Sequence, residues 1–283
     1  MNSRNKTTIS YWLIAVFLFA ALFFLTFAGY SARDARTTGP DIVVLGDSIL
    51  GDCLDETSIS AQLATLLQCE IYSGAMGGTG MGRADKEMRL GYTKDCLSFE
   101  SIVKSIVAED FGVQQSVQIR ENYTDHFSGI IDGLEKVDFA QVDTLLVCYG
   151  MNDYQSGVTI QNDDDPLDPY TYTGALRGSI QLLRQKYPNL RIILVTPTYC
   201  WYLWAESDCE KEDFGGGLLE EYVNAELAVA QELQVEILDL YHDFYPHEIR
   251  DEWMLYTKDG VHPNEAGREK IANAIADYLC KAE

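Results

Sequence analysis

The sequence predicts an α/β domain in which helices cover both faces of a parallel β-sheet. Two observations carry that expectation. Short apolar runs rich in β-branched residues alternate with longer stretches whose apolar residues recur at helical spacing. The strand-like runs are apolar throughout rather than alternating, which marks strands buried on both faces. With 283 residues, 47% of them hydrophobic, the chain is long enough for a sizeable core and too polar for a multi-span membrane protein.

Asp41–Leu45 (DIVVL) reads as the first strand, ending at Gly46. Ser58–Leu67 places Ile59, Leu63, Leu66 and Leu67 on one helical face, and a second strand leads into Ser73. Roughly 70 residues then separate the second strand from the third, more than a simple crossover needs. Within them Phe99, Ile102, Val103, Ile106 and Val107 follow an amphipathic helical pattern, and Ile130, Ile131 and Leu134 suggest another. This stretch reads as a helical insertion in the same domain. Val142–Tyr149 (VDTLLVCY) is a strand ending at Gly150, and Thr173–Tyr187 a helix with Leu176, Ile180 and Leu183 inward. Arg191–Val195 is a strand closed by Thr196-Pro197. Leu218–Leu233 is helical, Val235–Leu238 a strand, and Glu265–Leu279 the last helix.

Ahead of this domain the pattern differs. Arg4 and Lys6 are the only charged residues among the first 30, and Tyr11–Tyr30 is an uncharged run. As a helix, about 20 residues span the ~30 Å apolar core of a bilayer. Residues 1–30 are therefore expected to be a signal-anchor or transmembrane helix, with a cleavable signal peptide as the alternative. The run exceeds a signal-peptide apolar core, and Gly29-Tyr30-Ser31 makes a poor cleavage site. The basic leader predicts a cytoplasmic N-terminus and an extracytoplasmic domain at the cell membrane, or secretion if the segment is cleaved. Residues 31–40 (SARDARTTGP) read as a linker and 41–283 as the domain.

Charge and cysteine content narrow the partners. The 21 basic against 44 acidic side chains give a net charge of −23. Such a chain repels the phosphates of nucleic acids and of anionic lipid. The seven cysteines include no CxxC pair and no Cys/His cluster with zinc spacing, so no structural metal is expected. Cys148 falls inside an apolar strand. Cys200 and Cys209 flank one aromatic segment, and in an oxidising compartment a disulfide between them is one expectation.

In an open parallel sheet, ligands bind at the carboxyl ends of the strands. Strand one is followed there by Gly46-Asp47-Ser48, strand two by Ser73-Gly74-Ala75-Met76-Gly77-Gly78, and strand three by Gly150-Met151-Asn152-Asp153. Before the last helix stands Asp259-Gly260-Val261-His262-Pro263-Asn264. Four segments thus bring a hydroxyl, Gly-rich backbone, a side-chain amide and an Asp/His pair to one rim. These are the parts of a hydrolytic serine site: nucleophile, base, base-orienting acid and oxyanion donors. A serine hydroxyl is a weak nucleophile until a neighbouring base takes its proton.

In order and placement these blocks resemble the SGNH hydrolase superfamily of GDSL-type serine esterases and lipases, from about Asp41 to Leu279. The resemblance implies a three-layer flavodoxin-like fold and ester hydrolysis without metal or organic cofactor. It matches Ser48 to the nucleophile, His262 to the base and Asp259 to its partner. The backbone N–H groups of Ser48 and Gly78 and the Asn152 side chain match the oxyanion hole. Two departures stand out. Ile49 replaces the Leu of the first block. In the second, Ser73 and Ala75 replace Asn and Gly, while Gly78 keeps the last glycine.

Other residues compete for attention. Asp239-Leu240-Tyr241-His242 repeats the Asp-x-x-His spacing after a strand, but lacks the following Pro-Asn and long helix. His126 and His247 read as isolated surface residues, and the run Asp163–Asp168 as a solvated loop. Trp201, Tyr202 and Trp204 follow the fourth strand on the catalytic side and are candidates for substrate contact. The function expected is an extracytoplasmic serine esterase acting on short acyl esters, with acylated carbohydrate as its substrate class. A lipase or lysophospholipase, an acyltransferase and a catalytically silent carbohydrate-binding module stay open as alternatives.

Overall fold

Five of the apolar runs become strands of one parallel sheet: β1 (Ile42–Gly46), β2 (Ile71–Ser73), β3 (Thr144–Cys148), β4 (Arg191–Val195) and β7 (Glu236–Leu238). Their order across the sheet is β2-β1-β3-β4-β7. The computed structural model describes residues 39–83, 96–116, 126–247 and 254–281. The expected anchor, residues 1–30, and all but the end of the linker lie outside them. Among the described residues no helix is long and apolar enough to cross a membrane.

Alternate residues of each strand feed two separate cores. Val43, Leu45, Leu145, Val147, Ile192 and Leu194 join one, which also holds Phe99 and Ile102 of α3 (Phe99–Ala108), Leu176 and Ile180 of α7 (Tyr172–Lys186), and Tyr222 and Val223 of α8 (Leu219–Leu233). Ile42, Val44, Leu146, Cys148, Ile193 and Val195 join the other, with Ile59 and Leu63 of α2 (Ile59–Leu67) and Ile271, Ile275 and Leu279 of α9 (Glu265–Lys281). The strands are apolar on both faces because both faces are covered. Each such side chain, fully buried, contributes about 1.5–3 kcal/mol.

The described parts of the long stretch between β2 and β3 carry helices that join the same core. Besides α3 they contain α4 (Gly112–Gln115) and α5 (Phe127–Leu134), and Phe99, Ile102, Val103, Phe127 and Ile131 are all buried. Three helix starts obey the capping rule. The Ser58, Ser98 and Thr171 hydroxyls accept from the backbone N–H groups of Ala61, Ser101 and Gly174.

Four short elements escape the sequence pattern. α1 (Ser48–Gly51) and α6 (Met151–Ser156) are single turns directly after β1 and β3, too short to show periodicity. β5 (Trp201–Tyr202) and β6 (Ser207–Asp208) form an antiparallel hairpin beyond β4. α1 sits tightly: a Cβ on Gly51 would come within 2.7 Å of the Ala75 carbonyl oxygen. Only glycine lets the turn that carries Ser48 pack this closely on the loop after β2.

Two expectations need correction. Cys200 and Cys209 are buried free thiols, not a disulfide. Strand pairing closes their loop instead: the Cys209 N–H donates to the Cys200 carbonyl at 3.1 Å, and the Cys200 N–H to Cys209 Sγ at 3.4 Å. Nor are the two histidines isolated. His247 stacks on Tyr199 at 4.3 Å, with Nδ1 2.7 Å from Glu210 Oε1 and Nε2 2.7 Å from the Tyr241 carbonyl. His126 packs edge-on against Phe127.

Candidate active site

The four predicted segments meet at the carboxyl edge of β1, β2 and β3. Ser48 opens α1, with Asp47 as its N-cap; Asp47 Oδ1 accepts the Ile49 N–H at 2.9 Å. Behind β2 the chain continues the sheet pairing. The Gly74 N–H donates to the Val44 carbonyl at 2.7 Å and the Met76 N–H to the Gly46 carbonyl at 2.8 Å. The 74–78 loop is thereby held against the turn that bears Ser48.

A tight loop before α9 delivers Asp259 and His262. The Lys258 N–H donates to the His262 carbonyl at 2.9 Å, and the Trp201 N–H donates to the Gly260 carbonyl at 2.9 Å. Asp259 Oδ1 accepts the backbone N–H groups of Val261 at 3.0 Å and His262 at 2.7 Å. Its Oδ2 lies 2.7 Å from His262 Nδ1, and His262 Nε2 lies 3.0 Å from Ser48 Oγ. A carboxylate only accepts, so Nδ1 carries the hydrogen and Nε2 is left to accept from the serine. Burial pushes the Asp259 carboxyl up, but the hydrogen bonds from the His262 N–H, its ring and the Val261 N–H outweigh it and hold the group below its ordinary value.

The expected N–H donors lie on segments that leave the same sheet edge as Ser48. Among the described residues, the backbone N–H groups of Ser48 and Gly78 donate to no other group. Gly78 adopts φ 77°, a left-handed conformation suited to glycine. Asn152 Nδ2 donates to the Thr79 carbonyl at 2.9 Å, and the same amide also hydrogen-bonds Asp47. The arrangement has the chemistry of nucleophilic attack on a carbonyl whose oxygen would be met by N–H groups.

The second Asp-x-x-His pair copies the first in local detail. His242 Nδ1 lies 2.7 Å from Asp239 Oδ2, while Asp239 Oδ1 accepts the Tyr241 and His242 N–H groups. Its Nε2, however, faces Glu220 Oε1 at 3.9 Å and no serine among the described residues.

Two carboxylates beside the site were missed from sequence. Asp153 accepts the Met81 N–H at 2.7 Å and the Gly82 N–H at 3.1 Å. With the Asn152–Thr79 bond it ties α6 to the loop after β2. Asp52, four residues beyond Ser48, places Oδ2 3.8 Å from His262 Nε2 and 3.6 Å from Lys258 Nζ. The Asn-Asp adjacency and the helical spacing from Ser48 were the available signals. Of the aromatic candidates, Trp204 is 72% exposed and Trp201 half-buried, whereas Tyr202 is buried. Tyr202 packs on Phe214 and accepts from Gln155 Nε2 at 3.1 Å, so it supports the hairpin and presents no face to a ligand.

Comparison with known proteins agrees with the blocks. The chain matches the model of the GDSL-like lipase/acylhydrolase family over residues 44–270. It is 29% identical over 129 residues to isoamyl acetate-hydrolyzing esterase 1 homolog of Homo sapiens, covering 44% of this chain and 50% of that one. The chain thus spans about half the length of the curated relatives it matches. A protein from Lactobacillus plantarum superposes with TM-score 0.60 at 19% identity, over 87% of this chain and 98% of that one. A carbohydrate acetylesterase from Sinorhizobium meliloti superposes with TM-score 0.51 at 15% identity, over 86% and 99%. Both structures share the fold.

Two carboxyls lie buried beneath the site. Burial pushes Asp47 up to about 7, against the Ile49 N–H that holds it down. Burial lifts Asp153 to about 6, against the N–H groups of Met81 and Gly82. Both groups hold a proton more tightly in the folded chain than in the unfolded one, where the ordinary value of 3.8 applies. The stability linked to that proton is complete below pH ~4 and is lost as pH rises through the folded values. For Asp47 the loss is on the order of 4 kcal/mol. Asp47→Asn keeps a capping acceptor for Ile49 and cannot ionise. Relative to the wild type, its urea midpoint should improve between pH 4.5 and 7.5. An unchanged difference at the two pH values would show that Asp47 does not titrate in that window.

Proposed function

The chain belongs to the GDSL-like lipase/acylhydrolase family; we propose that it is a serine ester hydrolase with Ser48 as nucleophile, His262 as base and Asp259 as orienting acid. The observation that carries this is the continuous path from Asp259 Oδ2 through the imidazole to Ser48 Oγ, with links of 2.7 and 3.0 Å. Ser48 Oγ attacks the ester carbonyl as its proton passes to His262 Nε2. The N–H groups of Ser48 and Gly78 and the Asn152 amide take up the oxyanion, each such donor typically lowering the barrier by about 3–4 kcal/mol. Collapse expels the alcohol, which receives the proton from Nε2. Water then repeats the cycle on the acyl-enzyme and regenerates Ser48. Ser48→Ala and His262→Ala should each lower kcat/KM by about a thousandfold or more, because these groups act as a unit. His242→Ala should change it by less than about threefold. Loss of turnover in His242→Ala, with His262→Ala still active, would transfer the role of base to the second pair.

The substrate class that fits best is a short acyl ester, acetate foremost, on a carbohydrate or similar hydroxylated alcohol. Exposed Trp204 and half-buried Trp201 lie on a hairpin whose backbone holds the His262 loop, and indole rings suit sugar faces. The human relative is named for acetate-ester hydrolysis and the S. meliloti structure for acetyl removal from carbohydrate, which supports the same acyl group. Rates on nitrophenyl acetate, butyrate and palmitate, beside acetate release from acetylated glycans, test this. Acetate should exceed palmitate by about tenfold or more. A preference for palmitate would favour a lipase acting on the membrane that the chain is expected to enter.

We place the domain outside the cytoplasm, tethered through residues 11–30. The basic leader and the uncharged apolar run support this reading. Protease added to intact cells should digest the domain, and full protection would contradict the topology.

A further inference from the structure

We propose that Asp52 selects the alcohol half of the ester, favouring alcohols with a hydroxyl beside the ester oxygen and rejecting anionic ones. The inference rests on the serine-esterase reading above. Asp52 follows α1, its N–H donating to the Ser48 carbonyl at 3.1 Å. It therefore stands one turn above the nucleophile. Its Oδ2 lies 3.8 Å from His262 Nε2, and its Oδ1 stands where a Cβ on Gly77 would meet it at 2.9 Å. The carboxylate thus occupies the space between the imidazole and the Gly77-Gly78 turn. With its side chain 38% exposed, it faces the mouth of the site rather than the core.

The departing alkoxide must take its proton from Nε2, so its oxygen comes within about 3 Å of that nitrogen. Asp52 Oδ2 is near the same atom. A hydroxyl on the adjacent carbon of the alcohol is then within reach of the carboxylate. An ionised carboxylate accepts and never donates, so it takes an O–H and repels a carboxylate or phosphate. Lys258, 3.6 Å away, partly offsets the negative field and leaves it a tunable feature. Sugar acetates and glycerol acetates share the vicinal hydroxyl that this geometry reads.

The test compares matched acetates on the full-length chain in detergent: ethyl acetate, 2-hydroxyethyl acetate and O-acetylglycolate. The wild type should favour the hydroxyethyl ester over ethyl acetate by about tenfold in kcat/KM, and disfavour the glycolate ester by a similar factor. Asp52→Ala should bring both ratios to within about threefold of unity. Asp52→Asn should retain part of the hydroxyl preference, since its amide oxygen still accepts, while admitting the anion. Lys258→Ala should sharpen the rejection of the anion. Glycerol monoacetate and a monoacetylated pyranose, run beside these, tell a glyceride source from a sugar source by which is turned over faster. Wild-type ratios near unity, or ratios unmoved by Asp52→Ala, would overturn the proposal. An equal fall for all three esters in that variant would assign Asp52 to the imidazolium instead and overturn it too. Turnover of these esters that survives in Ser48→Ala would sink the serine reading itself.

Discussion

The parallel pairing of β1 with β3, from Ile42–Thr144 to Gly46–Cys148, is the constraint on which the rim depends. Parallel neighbours end on the same edge of a sheet, so the segments that leave them emerge side by side. The Asp47 N–H extends the ladder one step further by donating to the Cys148 carbonyl at 3.2 Å. Ser48 and Asn152 then leave the sheet within one turn of each other. β2 pairs on the other side of β1 and brings Gly78 to the same edge. A slip of one residue between β1 and β3 would exchange their two core faces and separate the serine from the amide. The position of the site is therefore protected by the burial of the whole sheet.

Strand pairing fixes backbone, not side chains, and the structure adds a second layer of polar ties to do that. Asp153 and Asn152 both reach the loop after β2, one through N–H groups and the other through a carbonyl. Placing Asp47 and Asp153 in the interior is costly, as their raised proton affinities record. A buried carboxyl is tolerated when N–H groups converge on it, and here they do. The Met81 and Gly82 N–H groups that satisfy Asp153 belong to the loop that presents Gly78. Stability and preorganisation draw on opposite charge states of the buried acids, since protonation eases burial while ionisation strengthens the N–H bonds.

The fold was largely legible because its signal is repeated along the chain. Strands and long helices each carry several buried residues at regular spacing, and the Phe99–Val107 face was recognisable as core inside an otherwise irregular stretch. The site was legible for a different reason: four short segments at strand ends carried complementary chemistry. The features that escaped lacked both kinds of signal. α1 and α6 are single turns without a period, and the β5–β6 hairpin pairs only two residues on each side. Asp52 and Asp153 act through where their oxygens point, which no spacing encodes. Tyr202 shows the converse error, since an aromatic beside a site on paper is a core residue in space. The cysteine pair fails similarly: proximity in sequence and space is real, but strand hydrogen bonds close that loop.

The duplicated Asp-x-x-His turn shows where local geometry stops determining chemistry. In both copies one carboxylate oxygen caps two backbone N–H groups and the other holds Nδ1 at 2.7 Å. The turn is a self-contained device for fixing an imidazole tautomer, and it forms at both places where the spacing occurs after a strand or loop. Both copies leave Nε2 free of backbone partners and directed outward. The difference lies in what the fold sets opposite that nitrogen. β7 lies at the far end of the sheet from β2, and its copy meets Glu220. The copy before α9 crosses back to the β1 end, because Ile271, Ile275 and Leu279 pack with Ile59 and Leu63 of α2 on the same core. Docking of α9 beside α2 is what carries His262 to Ser48. A helix–helix contact remote from Ser48, made by apolar packing, thus decides which of two locally equivalent histidines faces the serine.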